Sequence, residues 1–339
     1  MDPLTQGALG ASLPQAAGRP RDAAHAGLLG FLAGMAADLD VLIRSSTDPL
    51  LFLEYHRQFT HSLVFIPIGG LLCALVLHYL IGRRRGLGFR QSWLFCTLGY
   101  ATHALLDACT TYGTMLFWPF SDVRIAWNTI SIIDPLFTLP LLAGVVLSAR
   151  RKRLLYVRIT LVWALAYMGL GLMQRNSAEE LGWQLAQQRG HAPLRLEAKP
   201  GFANILVWKI VYETADRFYV DAVRTGFSPA VFPGASVPKL VIARDLPWLD
   251  AGSQQARDVE RFRWFSNGYI APDPLHPNRI IDIRYSMLPN EVKALWSIEL
   301  FPDAGEGEHV AYRVHRQSDR ASAGRLWSML TDDCAAVVC

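Results

Sequence analysis

The chain has 339 residues, of which 51% are hydrophobic and 18% charged, and its formal net charge is +4. This length is enough for two domains, and the modest charge, with its basic residues in short clusters, argues against a nucleic-acid partner. The five cysteines show no metal-binding spacing, which argues against a thiolate metal site. Cys334 and Cys339 could pair with each other or stay single.

The first residues predict a short helix and no cleavable signal peptide. Met1–Gln15 lacks the basic start and the unbroken apolar core of a signal sequence. Asp2 and Pro3 are typical of a helix start, and Pro14 favours a stop. We therefore expect the first spanning helix to act as the targeting signal.

Residues 1–175 contain a series of long apolar segments. About 20 helical residues are needed to cross ~30 Å of hydrocarbon, so these segments predict an all-α integral membrane domain of about five transmembrane helices, with the lipid bilayer as a partner. The fourth segment, Pro135–Ala149, is short and reaches a spanning length only with the apolar residues 130–133 before it. The segments are Ala24–Ile43, Ser62–Ile81, Ser92–Ala108, Pro135–Ala149 and Leu154–Met173.

Basic residues mark every second connection between these segments. Clusters precede the first segment, separate the second from the third, and separate the fourth from the fifth. The positive-inside rule then predicts a cytoplasmic N-terminus and a periplasmic or extracellular C-terminal half. The clusters are Arg19 and Arg21; Arg83, Arg84, Arg85 and Arg90; and Arg150, Arg151, Lys152, Arg153 and Arg158.

Residues 176–339 have the composition of a soluble α+β domain. Ser177–Arg189 predicts an amphipathic helix, and short β-like runs separated by turn residues predict a mostly antiparallel sheet. No motif with an obvious chemistry stands out in this half. The predicted strands are Ile205–Tyr212, Arg217–Val223, Lys239–Ala243, Tyr269–Pro272, Ile280–Tyr285 and Ala294–Leu300.

Carboxylates and imidazoles lie in or beside the apolar segments. An ionisable side chain at membrane depth is costly, so its first interpretation is functional. Carboxylate and imidazole are also ligands for divalent metals. The charge-based topology places all of these residues at the same, outer face. They are Asp38, Asp40, His56, His61, His103 and Asp107.

The spacing of these residues separates their expected roles. His103 and Asp107 are four apart in a helix and share one face. Asp38 and Asp40 are two apart and cannot face the same way, so one would bind metal and the other would cap, bridge or support. A simple pair of interfacial acids is the alternative. His61 directly precedes the second apolar segment, which fixes its position better than that of His56 on a freer loop.

Four motifs together resemble the YdjM/YbcI family of inner-membrane proteins, described as metal-dependent hydrolases. They are residues 1–7 (MDPLTQG), 38–40 (DLD), 56–62 (HRQFTHS) and 103–107 (HALLD), and the resemblance covers roughly residues 1–175. It implies a bacterial inner-membrane location and metal roles for Asp38 or Asp40, His56 or His61, His103 and Asp107. That family is in turn distantly similar to zinc-dependent phospholipase C and the P1-type nucleases. Many members have histidine where this chain has Gln6, so an N-terminal ligand is not implied here.

These observations predict a membrane-bound metal-dependent hydrolase that acts on a phosphoester of a lipid or a lipid-linked substrate. Zn²⁺ fits the mixture of ligands best, with Mn²⁺ or Mg²⁺ as alternatives. Asp38 is the expected proton acceptor and Arg57 the expected contact to a phosphate oxygen. A transporter or proton relay, and a non-catalytic membrane anchor with a structural metal, are the alternative functions. The expected ligands are Asp40, His56, His61, His103 and Asp107.

Overall fold

The computed structural model describes residues 1–315 and 320–331, so Cys334 and Cys339 and their pairing lie outside the described residues. The chain divides into two compact units. The first unit comprises Met1–Ile43, Tyr55–Leu172 and Phe202–Asn204. The second unit comprises Arg44–Glu54, Met173–Gly201 and the described part of Ile205–Cys339.

Helices dominate the chain up to residue 188. The α-helices are α1 (Pro3–Ala17), α2 (Ala23–Met35), α3 (Leu51–Tyr55), α4 (Ile66–Leu77), α5 (Phe89–Ala108), α6 (Pro135–Arg151) and α7 (Leu155–Gln188). Short 3₁₀ stretches extend or connect them, including Ala36–Leu42 after α2 and Phe59–His61 before α4. A π-helical turn, His78–Gly82, continues α4. The predicted helix Ser177–Arg189 is the last part of α7 and is confirmed.

The first helix begins as the sequence predicts but ends later. Asp2 caps α1, where its carboxylate accepts a hydrogen bond from Thr5 N at 3.0 Å, and Pro3 opens the first turn. The expected stop at Pro14 is wrong, because α1 continues to Ala17. A proline so close to the end of a helix interrupts little of the hydrogen-bond ladder, and Pro14 is buried against Gly30 of α2.

Three helical stretches of the described residues are long and apolar enough to cross a membrane. They are Pro20–Leu42, Leu63–Arg85 and Leu155–Gln188, and in the last two only 22% of the most apolar window is buried. The predicted count of about five is not confirmed. α6 has only 17 residues, and α5 carries Arg90, His103 and Asp107 within its 20.

α2 and α5 pack against each other at glycines. A Cβ at Gly99 would lie 2.7 Å from Gly30 Cα and 2.4 Å from Gly30 O, so the two backbones are in direct contact. Small residues permit such an approach between membrane helices. The small residues of both helices, with Ala101, Ala104 and Ala108 on α5, are typical of such a pairing, and the close contact forms at Gly99. The contact lies one turn from His103.

The second unit contains two four-stranded antiparallel sheets, ordered β1-β2-β3-β4 and β5-β6-β7-β8. Its core includes Val211, Phe218, Tyr269 and Ile283. The strands are β1 (Arg195–Pro200), β2 (Val207–Glu213), β3 (Arg217–Arg224), β4 (Ala230–Pro238), β5 (Ile270–Asp273), β6 (His276–Asp282), β7 (Trp296–Glu299) and β8 (Ala311–Val314). The helices are α8 (Ile242–Asp245), α9 (Gln254–Phe265) and α10 (Arg320–Thr331).

The sequence prediction for this unit is partly confirmed. Antiparallel strands occur at five of the six predicted runs, but the strand predicted at Lys239–Ala243 is wrong. The one-turn helix α8 begins there instead, because Asp245 Oδ2 accepts a hydrogen bond from Val241 N at 2.9 Å and favours a local turn. Strands β1, β4 and β8 and helix α9 were not predicted.

Lys209 on β2 is expected to make the stability of the protein depend on pH. The side chain is buried, and Nζ donates hydrogen bonds to Ser286 Oγ at 2.7 Å and to Glu291 O at 2.8 Å. Burial lowers the pKa of Lys209 from 10.5 to about 7. Between these two values the unfolded chain holds the proton and the folded chain does not. Folding therefore gains up to about 1.4 kcal/mol per pH unit as the pH rises through this window.

Lys209→Met should remove this gain. The melting temperature of the full chain in detergent, measured from pH 7 to pH 10, should rise with pH in the wild type relative to the variant. Lys293→Met, at an exposed lysine of the same unit, is the control and should follow the wild type. Parallel curves for the wild type and Lys209→Met would contradict the expectation.

Candidate metal centre

His103 and Asp107 lie on one face of α5, and both are fully buried. His103 Nδ1 donates a hydrogen bond to Gly34 O at 2.5 Å. This bond assigns the proton to Nδ1 and leaves the Nε2 lone pair available, which is the usual arrangement of a metal-binding histidine. The backbone of α2 thus orients a side chain of α5.

His61 faces His103 from the 3₁₀ turn Phe59–His61. Its Nε2 lies 3.0 Å from His103 Nε2, 3.3 Å from Asp107 Oδ2 and 3.5 Å from Asp38 Oδ1. Ser62 caps the next turn by accepting a hydrogen bond from Phe65 N, and this fixes the backbone beside His61. His61 is fully buried.

Asp38 completes a group of four side chains. Its Oδ1 lies 3.3 Å from His103 Nε2, and its side chain is 23% exposed, so this is the member of the group that solvent reaches. One ligand atom from each of Asp38, His61, His103 and Asp107 lies within 4.8 Å of every other. In this structure Asp38, rather than Asp40, joins the two buried histidines.

The spacing of these four atoms fits a divalent cation. A tetrahedron with metal–ligand bonds of about 2.0–2.2 Å has edges of about 3.3–3.6 Å. Five of the six distances within the group range from 3.0 to 3.6 Å. Two carboxylates and two imidazoles with this spacing are a suitable donor set for such an ion.

Asp107 carries an oxygen without a hydrogen bond. Its Oδ1 accepts a hydrogen bond from Gln6 Nε2 at 2.8 Å and pairs with the α-amino group of Met1. Its Oδ2 is 2.9 Å from Arg57 Nε, an ion-pair contact, but accepts no hydrogen bond from the described residues. A buried carboxylate oxygen in this state is costly unless it has another partner. The oxygen faces the two histidines, where a cation would be that partner.

Asp40 lies behind this group and organises the loop from His56 to Thr60. Its two oxygens contact His56 Nδ1 at 2.7 Å, Arg57 N at 2.9 Å and Thr60 Oγ1 at 2.8 Å. Asp38, Asp40 and His56 form a second group with ligand atoms within 4.8 Å. Asp40 and His56, both predicted as ligands, therefore belong to a second group, which shares Asp38 with the first.

Arg57 connects the two groups. Its backbone adopts a positive φ of 63°, its Nη1 donates to Thr110 Oγ1 at 3.1 Å, and its guanidinium lies 4.8 Å from the centre of the Tyr112 ring. The side chain is only 5% exposed. In this conformation Arg57 balances the charge of Asp107, and its predicted contact with a phosphate stays a prediction.

The acids also determine the charge of the neighbouring imidazoles. Burial alone would lower the pKa of His61, but contacts with Asp107, Asp38 and Asp40 raise it to about 10. Burial lowers the pKa of His56, and this effect outweighs the contact with Asp40. The group around His61 therefore attracts positive charge, as a cation-binding site must.

Two residues of the centre were not assigned a site role from the sequence. Gln6 donates to Asp107 and also, at 3.3 Å, to the carbonyl of His103, whereas the sequence marked it only as a departure from the family pattern. Thr60 Oγ1 donates to Asp40 Oδ2 at 2.8 Å and lies 2.9 Å from His61 Nδ1. A polar residue in a histidine-rich motif was the available signal for Thr60.

Apolar helices with mostly unburied surfaces, together with a buried Asp/His cluster, define an integral membrane protein with a candidate metal centre. The chain belongs to the YdjM inner membrane protein family, which matches residues 1–178. This confirms the resemblance found in the motifs. The family match and the apolar helices support a location in the bacterial inner membrane.

Two relatives give the extent of the similarity. Inner membrane protein YbcI of Escherichia coli (strain K12) is 38% identical over 108 residues, which cover 30% of this chain and 60% of YbcI. Uncharacterized protein YfhP of Bacillus subtilis (strain 168) is 24% identical over 213 residues, 62% of each chain. The chain thus spans about three fifths of the length of these relatives. No solved structure matches, and the distant similarity to phospholipase C and P1-type nucleases stays a prediction.

Proposed function

We propose that this protein is a membrane-bound, metal-dependent hydrolase that cleaves a phosphoester of a lipid or lipid-linked substrate. The observation that carries the proposal is the group of Asp38, His61, His103 and Asp107, with ligand atoms spaced for one divalent cation. We expect Zn²⁺, because histidine and aspartate are common zinc ligands, with Mn²⁺ or Mg²⁺ as alternatives. When bound, such an ion activates water and polarises a phosphoryl oxygen.

The exposure of Asp38 supports catalysis over a structural metal. The three other members of the group, His61, His103 and Asp107, are fully buried, so water or substrate would reach the centre beside Asp38. Asp38 is 23% exposed, while Asp40 is fully buried, is hydrogen-bonded to three neighbours and has its Oδ2 3.2 Å from His61 Nδ1. Asp38 is therefore the carboxylate that a substrate or water can approach, and we assign it the role of proton acceptor.

The position of Asp38 supports a lipid-linked substrate. It lies four residues before the end of the apolar stretch Pro20–Leu42. With a rise of about 1.5–2 Å per residue, the carboxylate is within about 10 Å of the end of that stretch. The polar headgroup of a membrane lipid is found at this depth.

The test combines metal analysis with a substrate panel. Purified full-length protein should retain a divalent metal and hydrolyse at least one of a set of water-soluble and lipid-linked phosphomonoesters and phosphodiesters. A chelator should stop hydrolysis, and Asp38→Asn should lower it by about 10²-fold or more. Bound metal without hydrolysis of any substrate would favour the structural-metal alternative. Failure to bind any divalent metal would refute the proposal.

We further propose that the second unit lies in the periplasm or outside the cell. The basic clusters around Arg21, Arg84 and Arg151 support this orientation through the positive-inside rule. A reporter enzyme that is active only after export should be active when it is fused at Gly226 or Gly252. A reporter that is active only in the cytoplasm should be active when it is fused at Gly86. Cytoplasmic activity at both Gly226 and Gly252 would invert the topology.

A further inference from the structure

The loop that joins the two halves of the candidate metal centre folds with the second unit. Residues 44–54 belong to that unit, while the chain on both sides of them belongs to the first. Asp38 and Asp40 precede the loop, and His56 and His61 follow it. The loop is therefore the covalent link between the aspartates and the histidines.

One arginine holds the middle of this loop and its C-terminal end. Arg261 on α9 donates from Nη1 and Nη2 to the two carboxylate oxygens of Asp48, at 3.0 and 2.7 Å, and from Nε to Glu54 Oε1 at 2.5 Å. A guanidinium with a bidentate partner is held in one orientation, which lysine could not reproduce. Asp258, three residues before Arg261 and on nearly the same face of α9, accepts a further hydrogen bond from Nη1 at 2.9 Å.

Apolar contacts fix the loop between these two points. Leu50 is fully buried and Leu53 is 2% exposed. The ring of Phe52 packs edge-to-face on Tyr312 with centroids 5.1 Å apart. The segment is therefore an ordered part of the second unit.

We infer that Arg261 is a positioning residue for the metal centre, and this inference rests on the proposed function. Glu54 lies in α3, only two residues before His56. The contact of Glu54 with Arg261 therefore fixes the backbone less than one helical turn before the histidine loop. Asp48 fixes the middle of the same loop. Loss of Arg261 would release Asp48 and Glu54, so that the loop would no longer hold His56 and His61 at the spacing a cation requires.

The experiment measures zinc affinity of the full-length protein in detergent, by competition with a chromophoric chelator. Arg261→Gln should weaken zinc binding by about tenfold or more, the scale seen when groups that orient ligands are lost. Arg263→Gln is the matched control. Arg263 lies on the same helix, but its guanidinium pairs with Glu260 of that helix rather than with the loop. It should bind zinc as the wild type does.

A second set of variants separates positioning from folding. The double variant Asp48→Asn/Glu54→Gln keeps Arg261 and its pair with Asp258 and should weaken zinc binding to the same extent. Adding Arg261→Gln to it should cause little further loss, because the same contacts are removed. A merely structural role would lower the melting temperature and leave zinc affinity unchanged.

The outcomes distinguish this inference from the proposed function. If wild-type protein binds zinc and both Arg261→Gln and the loop double variant bind it equally well, the positioning role is refuted while the metal site stands. If the wild type binds no divalent metal, the proposed function itself fails. Should Arg261→Gln not fold, the loop double variant decides the question on its own.

Discussion

His103→Ala is expected to abolish metal binding by the full-length protein while leaving its membrane insertion intact. The imidazole is oriented by Gly34 O, and its Nε2 lies within 3.6 Å of three other candidate ligand atoms. Removal of one of the four ligands should reduce the metal content of the purified protein below the detection limit of elemental analysis. Asp107→Asn should have the same effect on metal, and the loss of its pairing with Arg57 should also cost about 3–5 kcal/mol of stability.

The control for both variants is His78→Ala. His78 is also a buried histidine of the first unit, and its Nδ1 contacts Ser92 Oγ at 3.0 Å, outside the metal groups. It should keep the metal content of the wild type. Because His103→Ala leaves a small cavity, His103→Gln provides a better-packed second variant. Wild-type metal content in His103→Ala, His103→Gln and Asp107→Asn would rule out the site as described.

His61→Ala and His56→Ala are expected to differ in severity, with His61→Ala the more severe. His61 Nε2 is one of the four clustered ligand atoms, so its loss should remove the metal. His56 contacts Asp40 instead and belongs only to the second group, so its loss should weaken metal affinity by about 10–100-fold. Chelator competition on each purified variant measures the difference.

Two results would revise this assignment. Loss of metal in His56→Ala with full affinity in His61→Ala would make the group of Asp38, Asp40 and His56 the main site. Unchanged affinity in both variants would restrict the site to the aspartates and His103. Gln58→Ala, in the same loop but absent from both groups, should bind metal as the wild type does.

The helical half could be predicted well because its signals are local. Apolar length predicted the three stretches that are long and apolar enough to cross a membrane, and the spacing of four predicted the shared face of His103 and Asp107. The closeness of His61 and His103 agrees with the prediction from the charge pattern that both lie at one face of the membrane. The assignment of Asp38 rather than Asp40 to the buried histidines was not accessible, because it depends on the 3₁₀ geometry of Ala36–Leu42.

The second unit was harder to predict because its strands bury charge. Strand β1 contains Glu197 and Lys199, which pair with each other at 2.6 Å and interrupt the apolar pattern that predicts a strand. Helix α9 is rich in charged residues, and only Val259, Phe262 and Phe265 form its apolar face. Tertiary contacts stabilise these elements, and such contacts leave little trace in a single sequence.

The glycine contact between α2 and α5 makes the position of His103 depend on the packing of these two helices. Gly34 supplies the carbonyl that orients His103, and Gly30 touches Gly99 one turn before that histidine. A side chain at Gly30 or Gly99 would push the helices apart and separate His103 from its acceptor. We therefore expect a larger residue at Gly30 or Gly99 to weaken metal binding through His103, although neither glycine contacts the metal group.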